Sequence, residues 1–307
     1  MTLARTLDRS VNEAVSSLLG STSVGTRGIV FAVLLVVGCG HAPSTASSPA
    51  ARSSTAPSIP EDLRPAVERA TRIGRAIFEQ DQVSARATDL WLAKVPPDRR
   101  ARGRGWVTVD GPWWKVVFIE GTPGAERVAF EAAFPRDQPP DQSHPTFQAI
   151  DPPRPLEQDE ELRWRAFRTA VRSVSGGCGK PMNPVVLSAS LEGNDGWLVY
   201  LLNSTNKSGE TILGGHLRIR ISPDGDSVVE TQRLSQCLVQ PPPPPGATSA
   251  GLVMVTPLFD TPNEGHVFTA MNYREPLLLG TWKTVRGRMW LVAPDGSIDR
   301  DRDIAPP

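Results

Sequence analysis

The segment Ile29–Val37 is an uninterrupted run of nine apolar residues, preceded by Arg27 and followed by Gly38 and Cys39. A helix rises about 1.5 Å per residue and needs about 20 apolar residues to cross roughly 30 Å of hydrocarbon. This run is less than half that long, so it does not encode a permanent span. Two readings remain. One is a secretory signal, built from a positive charge, a short apolar core and a small residue before the cut. The other is a buried core strand, because periodicity alone does not separate short apolar runs. The chain beyond Gly40 is a Ser/Thr/Pro/Ala stretch and not a partner strand, which favours export.

The end of the run, Val36-Val37-Gly38-Cys39, resembles the lipobox of bacterial lipoproteins. The resemblance implies that residues 1–38 are removed and that the Cys39 thiol carries the lipid (palmitate among its acyl groups). The chain would then be held in the cell envelope through its N-terminal lipid. Gly40 follows the cysteine where an aspartate would mark retention, which resembles an outer-membrane address facing the periplasm. Asp8 and Glu13 sit upstream, where a basic leader normally has no acids. A start near Val24 is therefore expected, with Arg27 supplying the charge.

Basic and acidic residues balance at 33 each, so nothing points to nucleic acid, which selects a basic patch. Loss of the leader leaves 30 basic against 31 acidic residues, still neutral. The chain has three cysteines. With Cys39 lipidated, Cys178 and Cys237 are left to pair in an oxidising compartment. Closing a loop of some 60 residues would stabilise the fold by roughly 4 kcal/mol in the chain-entropy model. The alternative is two separate buried thiols.

Residues 40–60 have too little apolar surface to fold and read as a tether. The expected class beyond it is α+β, in two helix-plus-antiparallel-sheet units. The first, 61–135, has a helix over Asp62–Leu92 with Gly74 and Gln80-Asp81-Gln82 as weak points. Strands at 106–109, 113–120 and 126–134 then form a meander. In 113–120 both parities are apolar, which suits a strand covered on both faces. Residues 136–155, rich in proline, read as a connector. The second unit, 156–298, has a helix over Leu156–Val174. Strands are expected near 185–191, 197–203, 214–222, 227–239, 252–258, 266–272, 277–282 and 288–292. A polyproline bridge at 240–246 interrupts them, and residues 299–307 read as a frayed tail.

From Val185 onward the phrases GWLVYLLN, GGHLRIRISPDGD, RLSQCL, TPNEGHVF and RMWLV resemble a family of proteobacterial envelope lipoproteins with no assigned activity. That resemblance implies the compartment and a helix-plus-sheet C-terminal domain, and no catalytic residue. The helix-then-meander outline is also similar to PepSY-type modules, some of which bind peptidases; the likeness is of shape, and shape does not imply function.

His216 and His266 are the histidines on expected strands, and with Glu264 they could form a two-His-one-carboxylate metal site, the basis of a metal-dependent hydrolase reading. Alternation puts His216 on a face with Arg218 and Arg220, opposite Leu217, Ile219 and Ile221, and that face is expected to be wet. Ser204-Thr205-Asn206-Lys207 fits the S-x-x-K pattern of penicillin-binding proteins, but without the companion motifs. Trp106, Trp113 and Trp114 could stack on glycan, although large aromatics more often fill cores. No cofactor signature occurs. The expectation is a non-catalytic binding or structural role, with an envelope protein or peptidoglycan as partner.

Overall fold

A 31-residue helix, α1 (Arg64–Lys94), is the spine of the protein. At about 1.5 Å per residue it extends roughly 46 Å, and its apolar stripe changes partner along that length. The computed structural model describes residues 58–174, 178, 182–203, 210–242, 251–282 and 287–304. The signal segment, Cys39, the tether before residue 58 and Ser204-Thr205-Asn206-Lys207 lie outside them, as does most of the polyproline bridge.

The short helix α2 (Pro97–Arg100) follows α1, and then the first sheet, of order β1-β2-β3-β4 and antiparallel throughout. Its strands are β1 (Gly103–Val109), β2 (Trp113–Glu120), β3 (Arg127–Pro135) and β4 (Thr146–Arg154). The strand β4 occupies the stretch expected to be a connector. Its prolines, Pro152 and Pro153, obscure it; proline is tolerated on an edge strand, and β4 is an edge. On β2, Trp114, Val116 and Phe118 pack under Val83 and Ala87 of α1, while Val117 and Ile119 pack with Trp164 on the other face. Both faces of β2 are covered, as its double apolar parity predicts.

Trp164 belongs to α3 (Gln158–Ser173), which also lays Ala166 and Ala170 on the second sheet. That sheet has order β5-β6-β8-β9, with β5 (Met182–Ser188), β6 (Trp197–Asn203), β8 (Leu217–Ile221) and β9 (Val228–Arg233). Every residue of β6 is buried. Its Leu198, Tyr200 and Leu202 pack with Ile73 and Ile77 of α1, and its Val199 and Leu201 pack with α3. A two-stranded ladder joins β7 (Thr211–Ile212) to β10 (Val239–Gln240).

The third sheet has order β11-β12-β13-β14, from β11 (Leu252–Thr256), β12 (Leu277–Thr281), β13 (Gly287–Val292) and β14 (Ile298–Ile304). Its core includes Val67 and Ala70, at the start of α1. So one helix backs three sheets, and the fold is α+β. Two expectations fail here. The segment 266–272 is not a strand but lies within helix α4 (Glu264–Tyr273), and β11 pairs with β12 in parallel. These are one fact: parallel neighbours require a crossover, and a helix commonly supplies it. The stretch expected to fray is β14, whose alternating Asp and Arg residues hide the strand pattern.

Gly74 is not a weak point of α1. A Cβ there would lie 2.5 Å from Val267 Cβ and 2.9 Å from the Glu264 carbonyl oxygen. Glycine is what lets α4 approach that closely. Among the described residues no helix is long and apolar enough to cross a membrane.

Candidate functional site

A buried polar cluster beside a cleft lies where α1, β6, β8 and α4 meet. Asn263 caps α4: its side-chain oxygen accepts from the N–H groups of Gly265 (3.0 Å) and His266 (3.3 Å). Its amide nitrogen donates to the Leu234 carbonyl at 2.6 Å, which ties the helix start to the end of β9. Glu264, the first residue of α4, is thereby driven inward and is 1% exposed. A carboxylate at a helix N-terminus is favoured by the unpaired N–H groups there.

Glu264 Oε1 accepts from the Tyr200 hydroxyl at 3.1 Å and from Arg218 Nη1 at 2.9 Å, and its Oε2 lies 3.7 Å from Arg69 Nη1. Glu192 Oε1 takes a second bond from Arg218 Nη1 at 3.0 Å and pairs with Arg69. Arg218 also donates to Gln232. Two guanidiniums and two carboxylates therefore balance in charge. Burial, and then the neighbouring Glu264 charge, push the Tyr200 phenol well above its ordinary value, so it stays protonated and donates. A cleft of about 170 Å³ opens over this cluster, lined by Arg69, Arg218, Gln232, Phe259 and Pro262 among others. A larger, open furrow of about 810 Å³ runs between α1 and β14, past Arg64, Arg72, Arg75 and Ile298.

The three residues considered for a metal do not form a site. Leu217, Ile219 and Ile221 do share a face, and on the opposite face α4 covers His216 and Arg218, while Arg220 keeps a third of its side chain exposed. His216 is 2% exposed, and its ring meets Phe268 edge-on at 5.5 Å. His216 Nδ1 accepts the Asn203 N–H at 3.0 Å, and His266 Nδ1 accepts the Asn263 N–H at 3.1 Å. With both Nδ1 lone pairs engaged, the neutral rings carry hydrogen on Nε2, which removes the lone pair that a metal would need. Glu264 is engaged by Arg218 and Tyr200. Among the described residues no three His, Cys, Asp or Glu side chains are grouped to hold a metal. Burial pushes His216 down to about 4; burial, and then His216 beside it, push His266 down to about 3.

The tryptophans do not form one platform. Trp113 and Trp114 alternate in direction on β2; Trp113 is 54% exposed, whereas Trp114 is buried with the Arg136 guanidinium 4.1 Å from its ring. Trp106 packs against the same core as Trp114. Cys178 and Cys237 are joined, with Cα atoms 5.4 Å apart, a normal span for a disulfide. The chain is shaped around this bridge: Gly215 has φ +73, and a Cβ there would lie 1.8 Å from Cys178 Sγ. Asn203 accepts the Cys178 N–H at 3.0 Å.

Sequence reasoning names Glu264 but misses Arg69, Glu192, Tyr200 and Gln232. Arg69 borders the apolar stripe of α1 between Ala66 and Ala70, and this is the one available signal. No protein-family model matches the chain, and no curated protein or solved structure is significantly similar to it.

Proposed function

We propose that the chain is a lipid-anchored protein of the bacterial envelope, facing the periplasm from the outer membrane and acting by binding, not by catalysis. The observation that carries this reading is the division of the three cysteines. Cys178 and Cys237 are bridged, and Cys39 is left in the lipobox-like sequence ahead of a Ser/Thr/Pro/Ala tether. A disulfide between the segments before β5 and after β9 fits an oxidising compartment, and a tether of that composition fits a body held off a membrane. The resemblance of the C-terminal half to envelope lipoproteins supports the same address. The binding partner is an envelope protein or peptidoglycan. The paired charges under the cleft at Arg69 and Arg218 and the furrow along α1 are the concave surfaces offered to it.

A hydrolase using His266 and Glu264 has less support, because both side chains are taken up by internal partners. A PepSY-like peptidase-binding role rests on outline alone. The test is labelling with radioactive palmitate in a bacterial host, with fractionation of the chain and of Cys39→Ser. Label and membrane association that both disappear in Cys39→Ser are expected. An unlabelled chain whose fractionation ignores the substitution overturns the reading.

A further inference from the structure

Among the described residues, the three four-stranded sheets have six edges, and five of them are protected. On β1, Gly103 and Gly105 flank a register break, and the Thr108 carbonyl accepts from Gln80 of α1 and Arg163 of α3. The edges β4 and β5 contain proline, at Pro152, Pro153 and Pro184. The edge β9 carries Glu230 and Arg233 and begins at a register break. The edge β14 alternates Asp and Arg and pairs through another break. Charges, prolines and bulges of this kind stop one sheet edge from pairing with another.

The sixth edge, β11, reads Leu252-Val253-Met254-Val255-Thr256, with no charge, no proline and no register break. Its parallel ladder uses one side of the strand: Leu252 N–H donates to the Pro276 carbonyl and the Thr256 carbonyl accepts from Trp282 N–H. In such a ladder the N–H and C=O groups of Val253 and Val255 point away from β12. Among the described residues none bonds to them. Both side chains are 59% exposed, and they stand on the outer face of the sheet with exposed Leu291.

We propose that β11 is a self-pairing edge, through which two copies of this chain join their third sheets into one eight-stranded sheet. Val253 and Val255, identical in residue and in exposure, flank Met254, so the outward row of the strand is complementary to itself, which identifies the occupant as a second copy. With a two-fold axis at Met254, Val253 of one copy lies opposite Val255 of the other, and each such pair exchanges two hydrogen bonds. All four outward groups of each strand are then satisfied. The same register gathers four valines on one face and leaves each Met254 in its own core, where it is 3% exposed. No like charges meet, and Pro257, which has no N–H, ends the ladder. Self-complementarity of this kind is what a two-fold interface requires.

The test is sedimentation velocity of the full chain in detergent between about 1 and 100 µM, a range chosen for an interface smaller than the standard size. A dimer is expected, with a dissociation constant raised at least about ten-fold by Val253→Lys or Val255→Lys, two exposed positions whose replacement leaves the fold intact. Register is read by oxidative crosslinking. A mixture of Val253→Cys and Val255→Cys chains should crosslink well above either variant alone, because only the mixed pair is directly opposed. A monomer throughout the range overturns the proposal. So does a dimer indifferent to both lysines, or crosslinking of Val253→Cys alone that equals the mixture.

Discussion

Two buried glutamates lie in the first turns of two helices, Glu160 as the third residue of α3 and Glu264 as the first of α4, and are used differently. Glu160 in the first turn of α3 and Glu264 at the start of α4 are 0% and 1% exposed, and each faces two cations. Glu160 is saturated. Its two oxygens take Arg154 side-on at 2.7 and 2.8 Å, Lys115 at 2.8 Å and the Glu157 N–H at 2.8 Å, which closes a capping box. Glu264 is looser, with one oxygen holding Tyr200 and Arg218 and the other only 3.7 Å from Arg69, beside a cleft. The difference teaches where the molecule is locked and where it keeps capacity. A carboxylate with every lone pair engaged fixes a helix start. One with a loosely held oxygen, next to open volume, has room to accept a partner.

The largest expected effect is therefore at Glu160. Glu160→Ala leaves Arg154 and Lys115 with weaker partners and removes one of the two bonds of the capping box, and should cost about 3–5 kcal/mol. Glu264→Ala should cost about 2–3 kcal/mol, since Glu192 still pairs with Arg218 while the buried Tyr200 hydroxyl loses its acceptor. Urea unfolding monitored by tryptophan fluorescence measures both. The reverse order would break the comparison.

Acid should separate the two regions. Burial alone would raise the Glu160 carboxyl, but Arg154, Lys115 and the Glu157 N–H outweigh it and hold Glu160 at about 2. A carboxylate lowered in this way adds stability that is complete above its ordinary 4.5 and is lost as the pH falls toward 2. His216 and His266, near α4, are held neutral, so below their ordinary 6.5 the unfolded chain takes up protons first. Their contribution is complete above 6.5 and declines toward 3–4. Stability measured from pH 8 to 3 should thus fall in two stages. Glu160→Gln should flatten only the lower one, by about 2 kcal/mol once its partly exposed partners are discounted. A slope below 4.5 that this variant does not change would sink the assignment.

Gly74→Ala acts on one region alone. Alanine would favour the helix by about 1 kcal/mol, but its methyl would meet Val267 and the Glu264 carbonyl. Overpacking at such a contact costs about 1–3 kcal/mol. A net loss of about 1 kcal/mol is expected, with protection from hydrogen exchange lowered in α4 and unchanged in α3.

How much can be read from the sequence depends on how local each signal is. The strand β2 is legible because double parity states its burial directly, and β6 because Trp197–Asn203 is apolar nearly throughout between turn residues. By contrast, α4 reads as a strand because Val267, Phe268 and Thr269 favour strands locally, while the demand for a helix comes from β11 and β12 pairing in parallel. The strand β4 is hidden by Pro152 and Pro153, and β14 by its charges. At the candidate site, the sequence singles out Glu264 for metal chemistry, but its partners lie 46 to 195 residues away in sequence, at Arg218, Tyr200 and Arg69. Nothing local joins Arg69 of one helix to Glu264 of another. His216 reads as wet because alternation tells which residues share a face, and not what covers that face.

The smallest effects test the comparison most finely, through coupling and not through loss. Lys115 is 23% exposed and touches Glu160 at 2.8 Å; Arg69 is 34% exposed and reaches Glu264 only at 3.7 Å. A double-mutant cycle of Lys115→Met with Glu160→Gln isolates the first contact, and one of Arg69→Met with Glu264→Gln the second. Exposed pairs contribute up to about 1 kcal/mol, and the value falls with exposure and distance. The expected coupling is about 1 kcal/mol for Lys115 with Glu160 and below about 0.5 kcal/mol for Arg69 with Glu264. High salt should shrink both, because each cation reaches water. Equal couplings would mean that Arg69 grips its oxygen of Glu264 no less firmly than Lys115 grips Glu160, and the cleft above it would lose its claim to a partner.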